Sequence, residues 1–234
     1  MYNDFKRVAR VPRARLRAER GLRIIRLVNQ IMARPSNTEE RRAQIVDGLM
    51  TAMAEHGYDG ASVPDIARAA GLSPGLVHYH FENKQEILLV LVEQLAAGLR
   101  ERFERRARGA GSPRARLYAF LDAHVALGAD ANPRAVACWV TIGAEAVRQK
   151  EVQAAYRQAT RRALEQLEQL IAEVLADERR SAAGSKEMAA ALMATIYGCY
   201  QLATAGHAAP RGFAAPALRR MADGLLATQA EVST

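Results

Sequence analysis

From residue 38 onward, apolar residues recur every three or four positions, the spacing that lines one face of an α-helix. No stretch alternates apolar and polar residues with β-branched enrichment long enough to predict a strand. The first amphipathic segment covers about 38–56, with Ile45, Leu49, Met50, Met53 and Ala54 on its apolar side. Thr38 or Asn37 can cap its start, Glu39 and Glu40 sit in its first turn, and Gly57 stops it. Short helices are predicted over 63–69 and 74–80, and a longer one over 83–108, ended by Gly109, Gly111, Ser112 and Pro113. Five more follow, over 114–127, 133–148, 151–177, 186–205 and 217–230. Asn132-Pro133 starts the second of these, Ser185 can cap the fourth, and Gly206 and Pro210–Gly212 separate the last two. In the third, Val152, Tyr156, Ala159, Ala163, Leu167, Leu170 and Val174 form one stripe. The predicted fold class is all-α.

Composition narrows the field. The chain has 234 residues, half of them hydrophobic and a quarter charged, which excludes disorder over most of the length. Two cysteines, Cys138 and Cys199, cannot build a disulfide scaffold or a four-cysteine zinc site. They read as small buried apolar residues. The five histidines show no ligand spacing with acids or cysteines, so no metal is expected. A glycine-rich phosphate loop, a nucleophile elbow and a His-Glu-x-x-His motif are all missing, so no catalytic residues, no cofactor and no enzyme activity are expected.

The charge is uneven. Residues 1–37 carry ten basic side chains against Asp4 and Glu19, which accounts for the whole net charge of +8 and leaves residues 38–234 neutral. Three readings of this basic extension stand side by side. The true start could be Met32; the extension could be an arm that adds phosphate contacts or enters a minor groove; or it could serve a membrane or targeting role. Charge sets a basic extension over 1–37 apart from the rest; the further expected division, a first domain over 38–84 and a larger one over 85–234, comes from the motif and the resemblance given below.

No secretory leader opens the chain, and a cytoplasmic location is expected. Residues 188–210 contain no charge, a length that could span a bilayer, but they are rich in Ala and Gly and include Thr195, Tyr197, Tyr200, Gln201, Thr204 and His207. A helix apolar on nearly all sides within a bundle fits them better, and no membrane partner is expected.

The informative segment is Gly57 to Lys84, GYDGASVPDIARAAGLSPGLVHYHFENK. Its physical reading is a helix-turn-helix. Ser62 caps a short helix whose inner face is Val63, Ile66, Ala67 and Ala70; Gly71 permits the left-handed turn; Leu72 plugs the corner. Ser73 caps the second helix, Pro74 occupies its first turn, and Gly75 leaves its N-terminal surface bare for a DNA backbone or base edge. Leu76, His78, Tyr79 and His80 follow, and Lys84 opens the next helix, a phosphate site by position.

The series Gly57-Tyr58, Ala61-Ser62-Val63, Ile66-Ala67, Ala70-Gly71-Leu72-Ser73, Gly75, Tyr79-His80-Phe81 and Lys84 resembles the TetR family of bacterial transcriptional regulators over about residues 39–90. The resemblance implies an all-helical homodimer: an N-terminal three-helix helix-turn-helix domain followed by a larger helical-bundle domain for ligand binding and dimerisation. It implies that the 74–80 helix enters the major groove of a double-stranded operator with inverted-repeat symmetry. Ser73, Leu76 and His78 would meet bases, and Ser62, Tyr79, His80 and Lys84 would meet phosphates. A tyrosine is more usual in the family where this chain has His78. The helices around 188–205 and 217–230 would pair with their symmetry mates. Residues 139–157 and 196–204 resemble the effector domain of the choline-responsive repressors of the betaine pathway.

The function expected is thus a ligand-responsive regulator, a repressor released from DNA by a small molecule. The alternative is a helical ligand-binding or membrane-surface protein anchored by its Arg-rich N-terminus. Effector-site candidates are Tyr118, Phe120, His124, Trp139, Glu145, Tyr197, Tyr200 and Gln201, with an acid among aromatic rings suited to a cation. The effector itself is not identified. Residues 38–84 hold four basic and seven acidic side chains, so DNA affinity is expected from placed contacts rather than bulk charge.

Overall fold

The computed structural model describes residues 37–206 and 209–231. The expectations for residues 1–36, which include the alternative start and the basic arm, lie outside them. The chain divides into two compact units, residues 1–43 and 44–234. Of the first, residues 37–43 are described, and they are helical.

Among the described residues the architecture is all-α, with one isolated antiparallel bridge between Arg180 and Glu231. The helices are α1 (Asn37–Gly60), α2 (Val63–Ala70), α3 (Pro74–His80), α4 (Lys84–Ala107), α5 (Pro113–Val125), α6 (Pro133–Arg148), α7 (Lys150–Asp177), α8 (Ser185–Gln201) and α9 (Ala214–Ala227). A π-helical turn, Leu202–Gly206, extends α8. The later part of α1 packs with α2 and α3 into a helix-turn-helix, and α4 to α9 build the larger bundle.

Local chemistry starts most of these elements. Ser62, Ser73, Asn83, Ser112 and Asn132 each accept a backbone N–H from three residues on, and Pro74, Pro113 and Pro133 occupy first positions where no N–H is needed. Gly71 takes the left-handed conformation at φ 67°, and the Leu72 N–H reaches back to the Ala67 carbonyl at 2.9 Å, closing α2. Gly57 breaks α1 as expected, at φ 69° and ψ 176°, but one further helical turn follows to Gly60. Ser185 does not cap α8. It is the buried first residue of that helix, and Gly184 at φ 85° takes the cap position. The last helix starts three residues earlier than the sequence suggests, at Ala214.

Burial follows the predicted periodicity with local exceptions. Ile45, Leu49, Ile66, Val77, Phe81 and Leu88 close the core of the helix-turn-helix. Ala54, expected on the apolar face of α1, is exposed, and Val46 and Ala52 are buried instead. Along α7, Val152, Ala159, Leu167, Leu170 and Val174 are buried, while Tyr156 and Ala163 pack half-buried at the edge. No described helix is long and apolar enough to cross a membrane.

The crossing of α1 and α2 depends on Gly48. A methyl group there would lie 2.6 Å from the Ile66 carbonyl oxygen and 3.0 Å from Ala70 Cβ. Gly48→Ala should therefore destabilise the chain by at least about 1 kcal/mol in urea unfolding, because overpacking outweighs the gain in helix propensity. A stabilised variant would show that the two helices part at no cost.

Candidate functional site

The α2–α3 corner presents its second helix outward. In α3 only Val77 is fully buried. Pro74, Gly75 and His78 are exposed, Leu76 is half-buried, and Tyr79 is 80 % exposed with His80 packed edge-to-face against it at 5.0 Å. Nothing within 4 Å would meet a methyl group on Gly75, so the N-terminal surface of α3 is open to a backbone or base edge.

Two expected contact residues are engaged inside the fold. The Ser62 hydroxyl belongs to a capping box: its oxygen accepts the Asp65 N–H, and the Asp65 carboxylate accepts both the Ser62 N–H at 3.1 Å and the hydroxyl. Lys84 directs its ammonium to the carbonyls of Tyr58 at 2.7 Å, Ala61 at 3.0 Å and Asp59 at 3.4 Å, and lies 4.4 Å from the centre of the Tyr58 ring. An ammonium has three N–H donors, so in this structure Lys84 clamps the end of α1 rather than offering a charge outward. Ser73 accepts the Leu76 N–H at 3.3 Å.

The larger bundle encloses a cavity of about 750 Å³, a volume typical of small-molecule sites. Met50 of α1 and Leu95 and Leu99 of α4 line it with Val136 and Trp139 of α6, and Tyr200 and Phe213 close other parts of the wall. Of the expected effector residues, His124, Trp139 and Tyr200 line it and are all buried. The other candidates lie elsewhere. Tyr118 donates its hydroxyl to Asp223 at 2.5 Å on the α5–α9 contact. Glu145 is buried but accepts from Arg148 at 2.7 Å and Gln149 at 2.9 Å. Gln201 is exposed. Tyr197 and Phe120 line a much smaller space of about 50 Å³ that also touches Trp139. Trp139, Tyr156 and Tyr197 form one aromatic cluster, with ring centroids 5.0 to 6.4 Å apart, and the buried Trp139 indole N–H has no hydrogen-bond partner among the described residues.

The charged wall of the cavity is the part that sequence reasoning missed. Arg102 is only 8 % exposed. It donates to the Ala123 and Ala126 carbonyls, both at 2.6 Å, and to both oxygens of Asp130 at 3.0 and 3.3 Å. Arg106 donates to the same two oxygens at 2.9 and 2.7 Å. Hydrogen bonds from these two guanidiniums hold the Asp130 carboxyl far below the usual range. A signal for Arg102 was available, since it falls in the apolar register Leu95, Leu99, Phe103 of its helix. Asp130 and Arg211 lie in connections, where periodicity says nothing.

His124 stands beside Arg102. Its Nδ1 is 2.9 Å from the Phe120 carbonyl, which can only accept, so Nδ1 carries the proton and Nε2 remains an acceptor. Burial pushes its pKa down to about 4; the Phe120 carbonyl opposes the shift, and the Arg102 charge adds to it. On the opposite side, the Cys138 thiol donates to the Met50 carbonyl at 3.4 Å, tying α6 to α1, and burial pushes its pKa up to about 11.

The His124 environment has a consequence for stability. An unfolded imidazole takes its proton near pH ~6.5, and the folded one takes it near 4. Between these values the unfolded chain holds more protons, so stability falls as the pH drops through this window and levels off below it. The full effect is about 3 kcal/mol. His124→Asn keeps an N–H for the Phe120 carbonyl and removes the titration. In urea unfolding the variant should lose about 2 kcal/mol less than the native chain between pH ~7 and ~4.5. Equal losses would show that His124 is not held neutral.

Comparison with known proteins places these features. Residues 45–91 match the family model of the bacterial regulatory proteins of the tetR family, and residues 113–231 match that of the BetI-type transcriptional repressor C-terminal domain. The HTH-type transcriptional regulator BetI of Rhizobium meliloti is 33 % identical over 113 residues, 48 % of this chain and 55 % of the relative. The chain thus spans about half the length of the curated relatives it matches. A TetR-family regulator from a Rhodococcus species aligns with a TM-score of 0.69 at 23 % identity, covering 80 % of this chain and 98 % of its own. A regulator from Saccharomonospora viridis, solved in complex with choline, aligns with a TM-score of 0.68 at 21 % identity, covering 82 % and 99 %. The second of the two family matches alone spans just over half of the residues, and the chain belongs to the TetR family of bacterial transcriptional regulators, with a C-terminal region of the BetI type.

Proposed function

We propose that this protein is a non-catalytic transcriptional repressor that binds an inverted-repeat operator as a homodimer and releases it when a small molecule enters the α4–α9 cavity. Residues 38–84 are the DNA-reading region in this proposal and residues 85–234 the effector and dimerisation region. The observation that carries it is the capped helix-turn-helix with an exposed α3. The S. viridis relative in complex with choline supports a small-molecule site in such a bundle.

Dimerisation rests on the exposed sides of α8 and α9. Ala190, Ala191, Ala194 and Gly198 on α8, and Met221 and Gly224 on α9, leave a surface of small and apolar side chains in water. Small residues allow two helices to approach closely, and a two-fold dimer presents two recognition helices to two half-sites. Signalling has a short route. Met50 belongs to α1, lines the cavity and receives the Cys138 thiol, so a ligand that moves α6 or fills the Met50 end acts directly on the helix against which α2 packs.

The experiment is fluorescence anisotropy with DNA from the promoter region of the chain's own gene. The expected result is binding to an inverted repeat, with Tyr79→Ala weakening all sequences by roughly tenfold, the scale of one hydrogen bond to a charged group. Leu76→Ala should instead change which sequence is preferred. Unchanged affinity for Tyr79→Ala would remove α3 from the DNA.

A further inference from the structure

We propose that the effector is an organic anion with an extended apolar body, a carboxylate on a hydrocarbon-like frame, and not a cation. This rests on the reading of the α4–α9 cavity as the effector site and names what that cavity selects.

Among the described residues three charged side chains line the cavity: Arg102, Asp130 and Arg211. Asp130 has no capacity left for a cation. Each of its oxygens accepts one N–H from Arg102 and one from Arg106, which uses the four lone-pair sites of a carboxylate. The two arginines and one aspartate sum to +1. Asp122, the neighbouring acid, is held by both nitrogens of the Arg219 fork. Glu145, the acid expected among the aromatic rings, does not line the cavity. His124 is neutral near pH ~7 because its pKa is pushed down to about 4. Arg211, an exposed residue, forms no ion pair with any described residue, so the surplus positive charge is its own. A methyl group built on Gly212 would lie 3.8 Å from Leu127 Cδ1, so the Arg211 backbone runs beside the connection that Arg102 holds through Ala126. Arg102 uses four of its five N–H groups, and the second hydrogen on Nη1 has no described partner.

Most of the remaining lining is hydrocarbon and ring, with Gln94, Asn132 and Thr204 as polar exceptions. Met50, Leu95, Leu99, Val136 and Trp139 offer no charge and little polarity. A compact quaternary ammonium would fill a small part of about 750 Å³ and would enter a wall with surplus positive charge. A carboxylate at the Arg102–Arg211 end with an apolar body reaching Met50 matches both charge and volume.

Trp139 is the only tryptophan in the chain and lies on the cavity wall, so its emission reports occupancy directly. The test titrates the full chain with three compounds of equal chain length below their micellar range: decanoate, decanol and decyltrimethylammonium. DNA release is followed in parallel. Decanoate should bind at least tenfold more tightly than decyltrimethylammonium, with decanol between them. Arg211→Gln should weaken decanoate several-fold and leave decanol unchanged. Equal or tighter binding of the ammonium compound overturns the proposal, as does an Arg211→Gln variant that binds decanoate as well as the native chain. If none of the three changes the Trp139 emission, the apolar body is wrong as well. Decanoate that occupies the cavity without releasing DNA upholds the anion preference and overturns only the effector reading.

Discussion

The buried guanidinium of Arg102 ties α4 to the end of α5 and to the connection that follows it. A charge out of water must be matched by hydrogen bonds, and Arg102 finds them in the last turn of α5 and in the α5–α6 connection. In doing so it donates to carbonyls at the end of α5, where the helix supplies no N–H, and holds Asp130 against the bundle. The end wall of the cavity is the outcome. The neutrality of His124 belongs to the same arrangement, since a second positive charge beside Arg102 would be opposed by burial and by repulsion alike. Removing one partner of such a network leaves the others buried and unmatched, which is costlier than never having built it.

The helix-turn-helix is held together differently. Its core is small, and its geometry comes from caps and backbone contacts: the Ser62–Asp65 box, the left-handed Gly71, the Ser73 cap and the Lys84 clamp on three carbonyls. These contacts determine the angle at which α3 leaves the surface, and leave Tyr79 and His78 outward. The two parts meet at Met50. A helix that belongs to the helix-turn-helix on one side and lines the cavity on the other can transmit a change in cavity contents without any long path.

The helix-turn-helix was legible in the sequence because caps and left-handed glycines act locally, and Ser62, Gly71, Ser73 and Asn83 do what their types predict. Ser185 shows the limit: a capping residue type one position inside the helix start caps nothing. Lys84 has a role that its position at a helix N-terminus does not announce: its ammonium donates to the Tyr58, Asp59 and Ala61 carbonyls. The cavity was legible in part. His124, Trp139 and Tyr200 converge, but Tyr118, Glu145, Tyr197 and Gln201 do not, because convergence is set by helix rotation and packing that residue type does not encode. Glu145, the acid expected among aromatic rings, does not line the cavity for the same reason. The charge that faces the cavity comes from an arginine hidden in an apolar register and from two connections.

In the proposed complex the cavity holds an acid head at its Arg102 end and an apolar body against Met50 and Trp139. A crystal structure of the full chain with ω-bromodecanoate tests it most directly, because the bromine marks the tail by anomalous scattering independently of the head group. The account predicts the carboxylate within hydrogen-bond distance of Arg102 or Arg211 and the bromine beside Met50 and Trp139. A bromine beside Arg102 with the carboxylate turned to solvent, or a ligand bound outside the cavity, would contradict it.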